Sequence, residues 1–315
     1  MKKSLIALAV LGLSGAAMAQ SSVTLYGVAD VGGGKIEKGA MAGNDASDGF
    51  QMTSGSLMNN GTSRLGVRGV EDLGGGLKAG FNFETGLDLD GGQADDAFWQ
   101  RAANLWLGGN WGTFKMGRSL SPSFYGVATW ELTGAANYSV VATTYGAAGA
   151  GTRNDSMFSY KTPNFGGFSA ELGFRAKGDD PKNITGRGGR KYDLNVIYAN
   201  GPLGIGFSAN KVQDNETNMA LGAKYNFGNF ALAASYNDAK DMGRRGFSLG
   251  GTFTTGAFSF TADFTRDTKH SNNRKKYTNG LLEAKYALSK RTFVYGAFLR
   301  SDDTNNYGIG VRHNF

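Results

Sequence analysis

Along almost the whole chain, apolar and polar residues take alternate positions in short runs separated by glycine-rich links. Val23, Leu25, Gly27, Ala29 and Val31 alternate with Thr24, Tyr26, Val28 and Asp30, and Leu77, Ala79, Phe81 and Phe83 alternate with Lys78, Gly80, Asn82 and Glu84. The final run sets Tyr307, Ile309, Val311, His313 and Phe315 against Gly308, Gly310, Arg312 and Asn314. A period of two puts one set on each face of a β-strand. No helical spacing of comparable strength follows the first segment of the chain.

Such runs fall at 23–33, 62–70, 77–87, 98–108, 113–118, 155–162, 167–176, 190–199, 203–211, 217–227, 230–239, 245–254, 257–267, 277–287, 292–300 and 306–315, which makes sixteen. The links between them also alternate. Tight ones at 71–76, 163–166, 200–202, 228–229 and 255–256 interleave with longer polar ones at 34–61, 88–97, 119–154, 177–189 and 268–276. Sorted turns and loops, with an even strand count, are the pattern of a closed antiparallel barrel crossing an outer membrane, its short turns toward the periplasm. The expected fold is therefore all-β: a sixteen-stranded antiparallel transmembrane barrel.

The compartment follows from the first residues. Met1-Lys2-Lys3, an apolar stretch from Leu5 to Leu13, and Ala17-Met18-Ala19 form a secretory signal peptide, too short for a membrane-spanning helix. Residues 1–19 are expected to be cleaved and 20–315 to form the barrel. The absence of cysteine removes disulfides, thiolate metal sites and thiol catalysis. Fifty glycines with 12% aromatic residues suit many turns and many strands. Two of the 33 basic residues lie in the leader, leaving 31 against 26 acidic ones. They are spread singly among strands, so no nucleic-acid tract is formed.

Segment 119–154 carries Phe124, Tyr125, Trp130, Tyr138, Val140, Val141 and Tyr145, an apolar load that a solvated loop would expose at a cost. It is expected to pack against protein, folding into the barrel.

The opening Ser21-Ser22-Val23-Thr24-Leu25-Tyr26-Gly27-Val28-Ala29-Asp30, the stretch from Ser63-Arg64-Leu65-Gly66-Val67-Arg68 to Leu77-Lys78-Ala79, Gly112-Thr113-Phe114-Lys115-Met116-Gly117-Arg118, Tyr286–Thr292 and the ending Gly308–Phe315 resemble the Gram-negative general porins, above all their betaproteobacterial branch. The resemblance covers the mature chain. It implies a homotrimer of water-filled diffusion channels in outer-membrane lipid and lipopolysaccharide, passing small inorganic and organic ions with no cofactor and no catalysis. It implies that the third external loop, 119–154, bends inward and faces basic residues across the pore. It also implies that Phe315 is read by the outer-membrane barrel assembly machinery.

Residue by residue, Arg64 and Arg68 oppose Leu65 and Val67 in parity and are expected in water, as are Lys78 and Arg312. Arg101 matches a wall arginine of the family, although Leu105 and Leu107 share its parity. Arg118 stands at the mouth of the long loop. Glu131 and Asp155 are the only acidic residues between Arg118 and Ser156, and the enteric Pro-Glu-Phe-Gly-Gly motif is absent. Glu131 is the expected loop carboxylate of an electropositive, anion-preferring constriction.

Other motifs are weaker. Gly246-Phe247-Ser248-Leu249-Gly250 matches a nucleophile elbow, but a strand rather than a helix follows it. His270 and His313 are far apart in sequence and make no metal site. Asp88, Asp90, Asp95 and Asp96 depart from calcium-loop spacing and are expected as solvated charge or as contacts with lipopolysaccharide-bridging cations or a neighbouring subunit. Two competing functions remain: an outer-membrane hydrolase, which would need a catalytic cluster, and an adhesive barrel with a blocked lumen.

Overall fold

A computed structural model describes residues 22–38, 46–47, 49–95, 97–146, 151–176, 189–269 and 276–315. Among these, eighteen strands form one antiparallel sheet that closes on itself. Sixteen of them, 8 to 14 residues long, build the wall: β1 (Ser22–Lys35), β3 (Ser63–Gly74), β4 (Leu77–Asp88), β6 (Ala102–Gly109), β7 (Gly112–Leu120), β8 (Arg153–Lys161), β9 (Phe168–Arg175), β10 (Lys191–Asn200), β11 (Leu203–Val212), β12 (Asn218–Asn226), β13 (Phe230–Ala239), β14 (Arg244–Thr255), β15 (Phe258–Asp267), β16 (Thr278–Ala287), β17 (Thr292–Ser301) and β18 (Thr304–Asn314). The short β2 (Gln51–Ser54) and β5 (Gln93–Ala94) extend the sheet from within long loops. Neither was expected, because segments this short carry no readable alternation.

Closure is made by β1, whose Val28–Lys35 pairs with β18 while its Ser22–Val28 pairs with β3. Each wall strand thereby has a neighbour on both sides and no edge strand is left open, the condition for spanning hydrocarbon with strands. The two faces divide as the alternation requires. One is apolar and exposed, with Leu105, Leu107, Phe247, Leu249, Phe264 and Ile309 on it; the other is polar and buried, with Asp30, Asn104, Asn195, Asn237 and Asp263. An apolar outer band against lipid is the arrangement of a membrane barrel.

The expected strand at 98–108 begins only at Ala102. Gln100 N–H bonds back to the Ala97 carbonyl, and that turn breaks the pleat before Arg101. Not every loop on the long side is long: β17 and β18 are joined by Asp302 and Asp303 alone, both at positive φ.

Two helices occupy the long third loop. α1 (Pro122–Ala128) starts where the Ser121 hydroxyl accepts from Phe124 N–H, with Pro122 already fixed for the first turn. α2 (Val140–Tyr145) starts the same way at Ser139 and stops at Gly146 in the left-handed conformation.

Candidate constriction and its arginine wall

Segment 121–146 is tied to the polar face of the wall on one half of the sheet. At its start, Asp193 of β10 accepts from the Ser123 N–H at 2.7 Å and its hydroxyl at 2.5 Å, and Asn195 donates to the Pro122 carbonyl at 2.8 Å. Lys191 lies 3.1 Å from Asp193 with both side chains buried, so the anchoring carboxylate is paired rather than isolated. Gly126 lets α1 lie against β11: a Cβ there would stand 2.9 Å from Ser208 Cβ and 3.0 Å from the Phe207 carbonyl.

In its middle, Lys224 of β12 donates to the Glu131 carbonyl at 3.3 Å and Lys285 of β16 to the Thr133 carbonyl at 3.0 Å. Tyr138 donates to Glu283 of β16 at 2.7 Å and accepts from Asn60 at 2.8 Å. Burial first, then the Glu283 charge, raises the Tyr138 phenol far above the ordinary tyrosine value, so it stays a donor. At its end, Thr144 bonds Thr265 and Asn279, and Tyr145 donates to the Arg266 carbonyl at 3.0 Å.

Apart from the bond to Asn60, which precedes β3, these contacts fall on β10–β12, β15 and β16. The opposite stretch of wall carries cations. On β4, Glu84 takes the Arg101 Nε at 2.7 Å, the Tyr26 hydroxyl at 2.9 Å and the Arg64 Nε at 3.7 Å. Arg153, at the start of β8, donates its Nε to the Arg101 carbonyl at 2.9 Å. On β18, Arg312 bonds Asn60 at 3.0 Å and stands 4.0 Å from buried Asp30. A cavity of about 400 Å³ lies among Arg64, Arg101, Arg153 and Arg312, with Phe124 and Asn137 of the segment on its border. A second, of about 300 Å³, is bordered by Arg68, Arg101, Lys115, Arg153 and Tyr125. Among the described residues, Glu84 is the one carboxylate on either border, against four cations each.

The structure thus brings Arg64, Arg68, Arg101 and Arg312 to these cavities and places the other expected residues elsewhere. Arg101 reaches Glu84 because it precedes β6, so the parity it shares with Leu105 does not apply. Arg118 is on neither border; its guanidinium is taken by Asp155 and the Gln100 carbonyl. Lys78 is exposed beside the β3–β4 turn, in register with Asp72. Glu131 borders neither cavity. It is buried and accepts from Thr133 N–H and hydroxyl, Ala135 N–H and Ser139 hydroxyl at 2.6 to 2.9 Å, because the turn's own donors are the nearest groups able to satisfy it.

Arg153 and Lys115 were missed in the sequence. Arg153 fell within the long loop, since the expected strand began at 155, and Lys115 was read only as part of a motif. Phe315 continues β18 by exchanging backbone bonds with Gly27, at 3.0 and 3.1 Å, with its ring over Gly27 where any Cβ would collide. Ser248 bonds Ser235 across β13–β14 at 2.6 Å, inside strands, which excludes the elbow. His313 bonds Thr292 at 2.8 Å. His270 and Asp96 lie outside the described residues. Among the described residues no group of three or more His, Cys, Asp or Glu could hold a metal.

Comparison with known proteins agrees with this architecture. The family model of the Gram-negative porins matches residues 4–314. Outer membrane porin protein 32 of Delftia acidovorans is 35% identical, over 99% of this chain and 93% of that protein. An outer membrane porin protein of Bordetella pertussis is 29% identical over the full length of both. The solved structure of an anion-selective porin from Comamonas acidovorans superposes with a TM-score of 0.76 at 29% identity, covering 94% of this chain and all of that one. Whole-length family matching and the closed sixteen-stranded wall lead to one conclusion: this chain belongs to the Gram-negative porins, the channel proteins of the outer membrane.

Proposed function

We propose that the chain is made with a leader cleaved after Ala19 and assembles as a homotrimer of water-filled pores that pass small hydrophilic solutes and prefer anions. Segment 121–146 lies across each lumen, and the passage it leaves runs along Arg64, Arg68, Arg101, Arg153 and Arg312. The observation that carries this reading is the cavity of about 400 Å³ with four guanidinium groups and one carboxylate on its border. The facing segment adds no free negative charge, because its carboxylate, Glu131, is turned into its own backbone. Fixed charge in a narrow passage with low-dielectric walls acts strongly on ions. The anion selectivity stated for the similar Comamonas acidovorans porin supports the same preference.

Lipid and lipopolysaccharide are the partners of the apolar band, and the barrel assembly machinery is the partner of the strand ending in Phe315. Single-channel recording with ion substitution tests the proposal. Replacing chloride by a larger anion should lower conductance more than replacing potassium by a larger cation. A barrel with no resolvable unit conductance would be a blocked one, and the channel reading would fail.

A further inference from the structure

The border of the second cavity holds an aromatic side chain that packing does not explain. In segment 121–146, Trp130, Tyr138, Val140, Val141 and Tyr145 are buried, and Tyr125 is the large side chain left exposed, at 37%. Its hydroxyl has no hydrogen-bond partner among the described residues, so the ring is held out by its helix rather than by its polar end. That helix is fixed: Ser123 and Pro122 are tied to β10, and Gly126, the next residue, is pressed against β11. Phe124 meets the Tyr125 ring edge to face, with centroids 5.8 Å apart and planes at 78°. Phe124 borders the first cavity and Tyr125 the second, so each cationic space has one aromatic ring of the pair on its border.

The charges around it are arranged for a planar anion. Arg153 borders both cavities, and its one hydrogen bond among the described residues is through Nε, which leaves both terminal nitrogens for a carboxylate. Arg68 lies over the Tyr26 ring at 5.0 Å and forms no ion pair among the described residues. Lys115 stands 5.9 Å from the Tyr125 centroid. We propose that this porin carries, in the second cavity, a transit site for aryl monocarboxylates of the benzoate type, the carboxylate on the Arg153 and Arg68 guanidinium groups and the ring on Tyr125. The proposal rests on the passage described under Proposed function and adds the solute class to it.

Its test is block of the chloride current by benzoate compared with cyclohexanecarboxylate, which has the same carboxylate on a ring without π-electrons. Aromatic pairing predicts a half-blocking concentration roughly two- to tenfold lower for benzoate. Tyr125→Phe should keep that ratio and Tyr125→Leu should bring it to about one, whereas Arg153→Gln should weaken both blockers together. Equal block by the two acids in the unsubstituted protein, or an undiminished ratio in Tyr125→Leu, would overturn the site. The reversal potential in potassium chloride, read in the same experiment, reports separately on anion preference: its loss would sink the proposed function while the acid ratio still judged Tyr125.

Discussion

Tyr138 and Glu283, 145 residues apart, are joined by a hydrogen bond of 2.7 Å that ties the middle of the third loop to strand β16. Removing the phenol leaves Glu283 with Lys285, 3.0 Å away, and strands the Asn60 amide. Tyr138→Phe should weaken the loop anchor by roughly 1–3 kcal/mol, the cost of an unsatisfied buried partner. Single-channel current noise at neutral pH should rise. Recordings as quiet as those of the unsubstituted protein would show that the anchor lies elsewhere.

The same contact fixes a pH dependence. Because burial and then Glu283 raise the Tyr138 phenol above the ordinary tyrosine value, the folded loop holds that proton more tightly than an unpacked one does. The contribution is complete below about pH 10 and declines as pH rises above it. Current noise should stay flat with pH up to that point and then grow, while Tyr138→Phe should be noisy throughout. An onset near neutrality would assign the dependence to another group.

Glu131→Gln separates a turn staple from a selectivity residue. Four hydrogen bonds converge on this carboxylate from its own loop, and amide replacement should cost about 1.5–3 kcal/mol of local order for each charge-assisted bond lost. Channel noise should increase and the yield of assembled protein fall, with little change in ion preference among the channels that form. A large shift toward anions with quiet channels would return Glu131 to the pore.

At the other end of the barrel, deleting Phe315 removes two backbone bonds to Gly27 and the ring above it, at the point where β1 meets the last strand. Heat-modifiable oligomer in outer-membrane fractions should fall steeply, and any residual channels should conduct normally. Mass spectrometry of the same fractions should give a mature chain starting at Gln20. Normal yield of the truncated protein, or an intact leader, would contradict these expectations.

The wall was legible in the sequence because its physics is local: a two-residue period decides which side chain meets lipid, and Leu249, Ile309 and Phe264 fall on the apolar face as their parity requires. Arg64, Arg68 and Arg312 were readable for the same reason. What parity could not reach were positions set by long-range contact. Glu131 is a lone acid in a loop by sequence, and only the folded turn brings four donors to it. Arg101 escapes the parity of Leu105 because it lies just outside β6, which starts at Ala102. Arg118 was expected at the pore, yet Asp155, separated from it in sequence by the whole third loop, claims its guanidinium.

The arginine wall is tested most directly by the zero-current potential in a potassium chloride gradient at low salt, for the unsubstituted protein and for Arg153→Glu. Arg153 borders both cavities, so reversing its charge changes the balance of each from four cations and one carboxylate to three and two. The unsubstituted pore should favour chloride. That preference should shrink as salt is raised and the screening length falls below about 8 to 10 Å, and Arg153→Glu should move the potential toward potassium. A potassium-preferring unsubstituted pore, or a potential that Arg153→Glu leaves in place, would contradict the account.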